Sequence, residues 1–462
     1  MTEPQRGKVP TTSRPSVPTH DAAASARSRR IVVWASFVGT ALESYDFYVF
    51  AYFAAFFVGP LFFEPLGPAG ATAAAFLSIA IAFVVRPIGA IIFGHLGDRL
   101  GRRPTLIITI TLMGVATGLI GALPTFAQAG WLGAILLVVL RLLQGLSLGG
   151  EWGGAILLAT EGADARRRPF FAAMPQLGSP VGSILSGVLF LVMFTTVDPA
   201  TMAEWGWRIP FLTAIPLLVV SLWLRWSVQE TSVFLAIDAA GLRPRFPLGT
   251  LLRTQPLAVA VAVGIAVLGI GSYSLMNTYT VNYGVAVLGF SQIDLLTATT
   301  IGGLLQLVTI PLFGLWATRI GSARVVAIGA IGTLLVAVPM YWLLQSATFP
   351  VLVGMMIVGG ILPTASWAAL GGTMRELFSP RWGYSALAFC YAIAATATAF
   401  VPNVTQAIGV ATGNAWWHPA AVLAGLAIVT LVSAWAAARM PAPADEVELD
   451  ASAEAGSQAA VR

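Results

Sequence analysis

The sequence predicts an all-α polytopic membrane protein with twelve transmembrane helices in two six-helix bundles. The first observation is composition, because 57% of the 462 residues are hydrophobic and 10% are charged, whereas soluble proteins are about 25% charged. The second is a series of twelve apolar runs, each close to the roughly 20 residues that cross a bilayer as a helix. The third is the presence of arginines in every second connection. Together these observations exclude a soluble enzyme, a nucleic-acid-binding protein and a disordered chain.

The twelve apolar runs are called spans 1 to 12 in chain order. Their apolar residues are continuous, which favours helices over a β-barrel, whose strands alternate between lipid-facing and lumen-facing residues. The spans are predicted at residues 31–58, 71–93, 104–122, 129–158, 169–195, 208–226, 256–280, 292–316, 325–345, 350–373, 384–409 and 417–438.

The domain organisation follows from the polar stretches between the spans. The longest internal one separates six spans from six. The predicted parts are a disordered basic cytoplasmic arm at 1–30, an N-terminal six-helix bundle at 31–226, a cytoplasmic linker at 227–255, a C-terminal six-helix bundle at 256–440 and an acidic cytoplasmic tail at 441–462.

The positive charges predict the orientation of the chain in the membrane. Arginines occur in the connections after spans 2, 4, 6, 8 and 10, whereas the other connections have none except Arg208 at the edge of the one after span 5. Because positive loops stay in the cytoplasm, we expect both termini there. This placement explains the net charge of +5 without a nucleic-acid partner.

The two halves share a weak internal repeat. The stretch Gly94–Arg103 follows span 2, and the shorter stretch Gly314–Gly321 follows span 8 at the matching place in the second half. A duplicated six-helix bundle is typical of secondary transporters that rock two halves around a substrate site between them.

The residues of this loop resemble a known family. Gly94–Arg103 is similar to the loop 2–3 motif of the major facilitator superfamily, and the resemblance covers about 30–440. Four further stretches, the last of them weaker, resemble its metabolite:proton symporter branch, which holds permeases for shikimate, 2-oxoglutarate, citrate and proline/betaine. They are Gly39–Phe47, Arg86–Ala90, Arg141–Glu151 and Glu376–Phe378.

The resemblance implies a secondary active transporter of the bacterial inner membrane rather than an enzyme. It implies proton-coupled import of a small organic acid or zwitterion by alternating access, in a monomer, with no cofactor. Two features depart from the family pattern. Thr318 stands where the second loop would carry Asp, so the C-terminal half is expected to lack a charged latch. The short tail has no apolar heptads, which counts against osmosensing through a coiled coil.

Ionisable residues inside spans are the first candidates for a functional site, because each costs at least about 2.5–3.5 kcal/mol at the bilayer centre. Glu43 and Asp46 in span 1 are predicted to couple protons. Arg86 in span 2 and Arg141 in span 4 are predicted to bind the substrate, since a guanidinium holds a carboxylate through two hydrogen bonds. The alternative is a set of structural ion pairs that fix helix register.

Uncharged residues complete the predicted substrate site. Tyr45 and Gln144 accompany the charged residues of the N-terminal half. Tyr273 and Asn277 in span 7 are spaced i, i+4 and therefore share a helix face; the alternative is that they only pack. Other polar candidates in the second half are Gln306, Trp367, Tyr391 and Asn403.

The loop motif predicts a gate. Its glycines permit a tight turn, and Asp98 can accept hydrogen bonds at a helix N-terminus or from arginines. Glu151 is predicted to form a latch with a loop arginine; the alternative at this position is a carrier of protons. The alternative is that the loop arginines only set topology. The predicted gating residues are Gly94, Gly97, Asp98, Arg99, Gly101, Arg102, Arg103 and Glu151.

Two other functions compete with symport. The glycines of Gly178–Gly182 in span 5 superficially resemble those of drug:proton antiporters, so a proton-driven exporter is the second hypothesis. A membrane-embedded enzyme or receptor is the third, although the sequence has no cluster of catalytic residues at a membrane face. A metal site is not expected, because the chain has one cysteine, Cys390, and three widely spaced histidines.

Overall fold

Twelve helical segments long and apolar enough to cross a membrane are present in the computed structural model, which describes residues 20–161, 163–242, 245–441 and 443. This confirms the predicted fold class, and the described residues contain no strand. Spans 1 to 12 are Ile31–Phe62, Gly70–Arg99, Arg102–Ile120, Trp131–Glu161, Ala165–Thr196, Gly206–Trp226, Pro256–Ala286, Ile293–Ile320, Ser322–Leu344, Phe349–Leu377, Pro380–Ala411 and Trp417–Ala437.

The first helix begins earlier than predicted. It runs as one element over His20–Phe53, so the expectation of disorder is corrected for residues 20–30. Alanine has the highest intrinsic helix propensity, and residues 22–24 and 26 are alanines. A helix also propagates more easily than it nucleates, so span 1 extends backwards through them. Residues 1–19 of the predicted arm, and the predicted tail apart from Pro441 and Pro443, lie outside the described residues.

The linker between the halves contains two short helices. The first linker helix is Ser232–Ala239, and it is capped by Thr231, whose hydroxyl oxygen accepts a hydrogen bond from the backbone N–H of Phe234. The second linker helix is Pro247–Thr254, with proline in its first turn, where the missing N–H is not needed.

The spans pack as two bundles that meet along spans 2, 4 and 5 of one half and spans 8, 10 and 11 of the other. In the N-terminal half, span 4 packs against spans 2 and 3, and span 1 packs against span 5. In the C-terminal half, span 9 packs against spans 10 and 12, and span 7 packs against spans 10, 11 and 12. Spans 2 and 4 contact span 11 across the interface, and the start of span 5 contacts spans 8 and 10.

Small residues allow the closest helix contacts. A Cβ atom added at Gly145 in span 4 would lie 2.9 Å from the Cα of Ala82 in span 2, and one added at Gly149 would collide with the backbone of Gly89 and Ala90. These glycines are four residues apart on one face of span 4, and they bring spans 2 and 4 together.

Spans 1 and 7, which correspond to one another in the two halves, each contain one widened helical turn. These π-helical turns are Ala54–Val58 and Leu275–Tyr279. Such turns are frequent at functional sites. The one in span 7 faces the space between the two halves.

Candidate functional site: a cavity between the two halves and its gate

A cavity lies at the interface of the two bundles. It encloses about 1040 Å³ of space free of atoms, part of it continuous with solvent. Spans 1, 2, 4 and 5 line it from one side, and spans 7, 8, 10 and 11 from the other. Its polar and aromatic lining residues are Thr40, Glu43, Ser44, Phe47, Tyr48, Phe83, Arg86, Trp152, Ser179, Ser272, Tyr273, Ser274, Asn277, Gln306, Thr364, Trp367 and Tyr391. We call it the central cavity.

Span 1 presents one face to the central cavity. That face carries Thr40, Glu43, Ser44, Phe47 and Tyr48, which recur at i, i+3, i+4, i+7 and i+8. This is the spacing of a single stripe on an α-helix, so the cavity wall follows from the helical period of span 1.

Glu43 and Arg86 are the two charged residues of the cavity lining, with exposed fractions of 7% and 6%. Within the described part of the chain, Oε2 of Glu43 and Nε of Arg86 have no hydrogen-bond partner. The guanidinium of Arg86 lies 4.5 Å from the centre of the Phe83 ring. The cavity therefore offers an acceptor and a donor of opposite charge, and both can bind a ligand.

Asp46, Arg141 and Gln144 form a separate buried network behind this face of span 1. The amide nitrogen of Gln144 donates to Asp46 Oδ1 (2.6 Å), and the Thr117 hydroxyl donates to the same oxygen (2.5 Å). Arg141 donates to Gln144 Oε1 (2.9 Å) and to the carbonyl of Ser78 (3.1 Å). None of these side chains lines the central cavity. Gln144 thus links the carboxylate of Asp46 to the guanidinium of Arg141.

The opposite wall of the cavity is uncharged. Tyr273, Asn277 and Gln306 line it from spans 7 and 8. The amide nitrogen of Asn277 donates to the Tyr273 carbonyl (3.2 Å), and the Tyr273 ring contacts the Tyr48 ring across the interface, with centres 6.0 Å apart. The C-terminal half therefore contributes amides and aromatic rings, whereas the N-terminal half contributes charge.

A layer of aromatic side chains closes the cavity on one side. Trp152 of span 4 stacks on Tyr391 of span 11, with ring centres 4.2 Å apart and an interplanar angle of 8°. The indole N–H of Trp152 donates to Gln176 Oε1 (3.0 Å), and the amide nitrogen of Gln176 donates to the carbonyl of Trp367 (3.2 Å). These contacts join the two halves beneath the cavity, and we call these four residues the cavity floor.

Beyond the floor, spans 2 and 11 meet at the end of the bundle that carries the loop motif. Asp98 accepts hydrogen bonds from the backbone N–H groups of Tyr384 (3.1 Å) and Ser385 (2.9 Å). These residues are in the first turn of the helix Gly383–Ala399, where N–H groups lack helical partners and the helix dipole favours a negative charge. We call these three residues the gate and this end of the molecule the gate end.

Glycines make this contact possible. A Cβ added at Gly94 would lie 2.8 Å from the Cα of Ser385, and one at Gly97 would collide with the ring of Tyr384. Gly101 has a φ of +113°, a backbone conformation that other residues rarely adopt. Span 2 can therefore approach span 11 and then reverse into span 3.

Arg102 crosses the gate end while fully buried. Its guanidinium donates to Glu161 Oε1 (3.2 Å) and to the carbonyl of Pro380 (2.8 Å), and it lies 3.6 Å from Asp98 Oδ1. Its backbone N–H donates to Glu230 Oε1 (3.1 Å). One side chain thus connects span 4 of the first half to the start of span 11 in the second.

The other two arginines of the loop differ from Arg102. Arg103 donates from its backbone to Glu230 Oε2 (3.1 Å) and from its side chain to the Trp226 carbonyl (2.9 Å). Arg99 is exposed, and its one hydrogen bond to another described residue joins its guanidinium to His95 one turn earlier on the same helix (3.4 Å). The contacts of Arg99 are consistent with the alternative that a loop arginine only sets the orientation of the chain in the membrane. Arg103 instead holds the linker to span 3.

Glu151 forms an ion pair, but its partner belongs to a span. Arg225, in the last turn of the helix Ala214–Trp226, binds Glu151 Oε1, and the Thr109 hydroxyl donates to Glu151 Oε2 (2.7 Å). The pair is buried against Gly39 of span 1. It is therefore internal to the N-terminal half and does not bridge the two halves.

Comparison with known proteins identifies the family. The profile of the sugar (and other) transporter family matches residues 31–243. An inner membrane metabolite transport protein of Escherichia coli K12 is 35% identical, over 79% of this chain and 84% of that protein. The shikimate transporter of the same organism is 34% identical, over 88% of this chain and 94% of that protein. The proline/betaine transporter of Escherichia coli K12 is 28% identical, over 87% of this chain and 82% of that protein. The chain belongs to the major facilitator superfamily. It is a metabolite transporter, not an enzyme.

The fold of this transporter also matches solved structures. The proton:xylose symporter XylE, bound to 6-bromo-6-deoxy-D-glucose, superposes with a TM-score of 0.72 at 16% identity, over 89% of this chain and 95% of that one. The inward-open form of XylE from Escherichia coli has a TM-score of 0.59. At these identities the similarity shows the fold alone.

The structure separates the predicted site residues of the transporter into two groups. Glu43, Arg86, Tyr273 and Asn277 line the central cavity, whereas Asp46, Arg141 and Gln144 form the network behind it. Tyr45 is also outside the cavity lining. Its hydroxyl donates to the carbonyl of Pro210 (2.9 Å) and is hydrogen-bonded to the hydroxyl of Thr213 (2.6 Å). Asn403 is exposed.

Sequence reasoning missed several residues of the site, among them Tyr48, Trp152 and Gln176. Tyr48 lies on the same helical stripe as Glu43, so the period of span 1 could have identified it. Trp152 and Gln176 meet through tertiary packing, and no local pattern pairs them.

The glycines that motivated the exporter hypothesis pack span 5 against span 1. A Cβ at Gly178 would lie 2.7 Å from the carbonyl carbon of Thr40, and one at Gly182 would lie 2.7 Å from the Ala41 carbonyl oxygen. Close helix packing accounts for these glycines without an export role. Among the described residues, no group of three or more His, Cys, Asp or Glu side chains could hold a metal ion.

Proposed function

We propose that this transporter imports a small organic acid or zwitterion together with protons across the bacterial inner membrane. The similarity to a shikimate transporter, a proline/betaine transporter and an inner membrane metabolite transport protein supports this substrate class and this membrane. The gradient of protons is the energy source, no cofactor takes part, and one monomer suffices.

The observation that carries the proposal is the presence of Glu43 and Arg86, each with an unpaired polar atom, in the lining of one cavity. A substrate carboxylate binds the guanidinium of Arg86. The positive charge of Arg86 is then neutralised by the substrate, and burial favours the protonated form of Glu43. Substrate binding and protonation are thereby coupled.

Asp46 serves as a second proton-carrying group in this scheme. Its Oδ1 is held by Thr117 and Gln144, while its Oδ2 has no hydrogen-bond partner among the described residues. Asp46 and Glu43 are on the same helix, so a shift of span 1 that accompanies substrate binding moves both carboxyl groups. Arg141 stabilises the ionised form through Gln144.

Alternating access is supported by the contacts at the gate end. The cavity floor and the gate join the two halves there. This end carries the arginine-rich connections, so the positive-inside rule makes it the cytoplasmic side with both termini inside. The described state is then closed to the cytoplasm, and opening requires the bonds to Asp98 to break.

The experiment is uptake into proteoliposomes with an imposed pH gradient, using radiolabelled shikimate and glycine betaine as probes. With the acidic side outside, a symporter accumulates one of the probes; expulsion of a preloaded probe would indicate an antiporter and overturn the proposal. Accumulation should fall in Arg86→Gln and persist in Arg319→Gln, a control at an exposed position in the last turn of span 8. A shikimate signal identifies an organic acid, and a betaine signal a zwitterion.

A further inference from the structure

A second polar site lies between the central cavity and the gate end, inside the N-terminal half. Its centre is the buried ion pair of Glu151 with Arg225, to which Thr109 adds a hydrogen bond. The exposed fraction of both charged residues is 1%. Neither residue lines the central cavity or binds across the two halves, so the proposed function leaves the pair without a role.

The ion pair is one helical turn from Glu43. A Cβ added at Gly39 would lie 2.9 Å from Glu151 Oε1, so the carboxylate touches span 1 at that position. Gly39 precedes Glu43 by four residues, which is about 6 Å along a helix on the same face.

Polar atoms without protein partners surround the pair. Within the described residues, the hydroxyls of Ser36, Ser221 and Tyr384 and two guanidinium nitrogens of Arg225 are buried and have no hydrogen-bond partner. Ser36 is one turn before Gly39 on span 1, and Ser221 is one turn before Arg225 on span 6. Because buried polar groups are costly unless bonded, such a cluster is a site for ordered water.

Tyr384 connects this site to the gate. Its backbone N–H is bound by Asp98 (3.1 Å), and its hydroxyl lies over Gly154, one turn beyond Glu151 on span 4, where an added Cβ would collide with it. Span 11 therefore covers the ion pair while the gate is closed, and its departure would expose Glu151.

We propose that Glu151 is the inner proton acceptor of this transporter, which takes the proton released by Glu43 and passes it to the gate end. The inference rests on the proposed proton coupling and adds a site to it. Thr109 from span 3 and Arg225 from span 6 bind Glu151 directly. Glu43 is one turn beyond Gly39 on span 1, and Tyr384 from span 11 lies over Gly154, one turn beyond Glu151.

The transfer is a movement of one proton with no other bond change. The O–H bond of protonated Glu43 breaks, the proton passes along water, and an O–H bond forms on the carboxylate of Glu151. Glu43 becomes negative and Glu151 neutral, which frees Arg225. When the gate opens, Glu151 gives the proton to water at the gate end and pairs with Arg225 again.

The first test separates proton-driven accumulation from exchange in proteoliposomes, with whichever of the two probes named above is transported. Exchange of labelled for unlabelled probe at equal pH needs no net proton release. Glu151→Gln should therefore lower the accumulation ratio by at least about tenfold, as expected for removal of a proton-transfer group, and keep exchange close to wild type. Glu151→Asp should restore part of the accumulation.

Glu161→Gln is the matched control, because it is the same change at another buried carboxylate of span 4, bonded to Arg102. It should lower exchange and accumulation together, since it acts on the conformational change. If Glu151→Gln behaves in the same way, Glu151 has only a structural role and the inference is wrong. Unchanged accumulation in Glu151→Gln would also overturn it.

The second test needs no substrate. Infrared difference spectra of the purified full-length protein, taken between mildly acidic and mildly alkaline pH, report the absorbance of protonated carboxyl groups. Part of this signal should disappear in Glu151→Gln. If the variant matches wild type, Glu151 does not take up a proton and the inference fails, even where proton-driven uptake holds. If the signal is lost but wild-type protein shows no proton-driven uptake, the proposed function fails and the proton site remains.

Discussion

The two halves of the transporter repeat the same loop geometry with different chemistry. Gly101 and Gly321 turn the chain at matching places with φ values of +113° and +94°. In the first half, Asp98 binds the start of span 11 across the interface. In the second, the hydroxyl of Thr318 donates to the carbonyl of Leu315 on its own helix (2.6 Å). The backbone turn is duplicated, but only the first half has the charge that can act as a switch there.

The interiors of the halves differ in the same way. The N-terminal half buries Glu43, Asp46, Arg86 and Arg141. Buried side-chain pairs of the C-terminal half are Tyr279 with His418 and Thr280 with Tyr341, and its buried arginine, Arg375, lies in the last turn of the helix Phe349–Leu377, away from the membrane centre. Charged groups can gain or lose counter-charges during transport, whereas neutral pairs only hold helices. We infer that proton handling is concentrated in one half and that the other half mainly shapes the cavity.

The largest expected effect comes from neutralising one wall of the cavity. Glu43→Gln and Arg86→Gln should each reduce proton-driven accumulation about 100-fold, the size typical of a lost proton-transfer or charge-assisted group. Asn277→Ala on the other wall removes a neutral hydrogen bond worth roughly 1 kcal/mol, so it should change uptake by less than tenfold. Initial uptake rates in proteoliposomes measure both.

Equal losses of accumulation in the charged and neutral variants would contradict the conclusion that the charged wall of the cavity drives proton coupling. Thermal unfolding of each purified variant provides the control, because an uptake defect that follows lost stability is structural.

The second largest effect on transport is expected at the loop motif after span 2, compared with its counterpart after span 8. Asp98→Ala removes an acceptor of two charge-assisted hydrogen bonds, each worth about 1.5–3 kcal/mol, and should slow transport by at least about tenfold through loss of the closed gate. Thr318→Ala removes a bond within one helix and should leave transport near wild type. A comparable defect in both variants would contradict the assignment of the switch to the first loop.

How far the sequence predicts this molecule depends on the kind of feature. The twelve spans are predictable because each needs a long apolar run, and Glu43 and Arg86 stand out because charge in such a run is costly. Which face of span 1 meets the cavity is set by packing between helices. At 100° per residue, Tyr45 and Asp46 lie about 130° from the centre of the cavity stripe, on opposite sides. Counting residues along the span places them at the right depth but not in the right direction.

The cavity floor and the ion pair of Glu151 could not be predicted for a different reason. Trp152 meets Gln176 and Tyr391, and Glu151 meets Arg225, through contacts between residues far apart in the chain. A single sequence shows that each residue is polar or aromatic at membrane depth. It contains no local signal that selects the partner.

Removing one buried hydroxyl from each half compares the stability contributed by a bond to a charged group with that of a bond between neutral groups. Thr117→Val removes a donor to the carboxylate of Asp46 (2.5 Å), and Thr280→Val removes the partner of the Tyr341 hydroxyl (2.6 Å). Hydrogen bonds to charged groups contribute about 1.5–3 kcal/mol and neutral ones about 0.5–1.5 kcal/mol. Thr117→Val should therefore lower the free energy of unfolding by about 1 kcal/mol more than Thr280→Val, measured by denaturation in detergent. Indistinguishable losses would mean that the charge of Asp46 adds nothing to this bond.

The smallest effect is expected at the floor, where Trp152 of the N-terminal half stacks on Tyr391 of the C-terminal half. Trp152→Phe keeps an aromatic ring over Tyr391 but removes the N–H that binds Gln176 (3.0 Å). Tyr391→Phe removes a hydroxyl that forms no hydrogen bond within the described part of the chain. Because one neutral hydrogen bond contributes roughly 0.5–1.5 kcal/mol, Trp152→Phe should weaken probe binding a few-fold, and Tyr391→Phe should leave it unchanged. Binding measured by calorimetry on the purified protein distinguishes them, and a larger loss in Tyr391→Phe would show that its hydroxyl contacts the substrate directly.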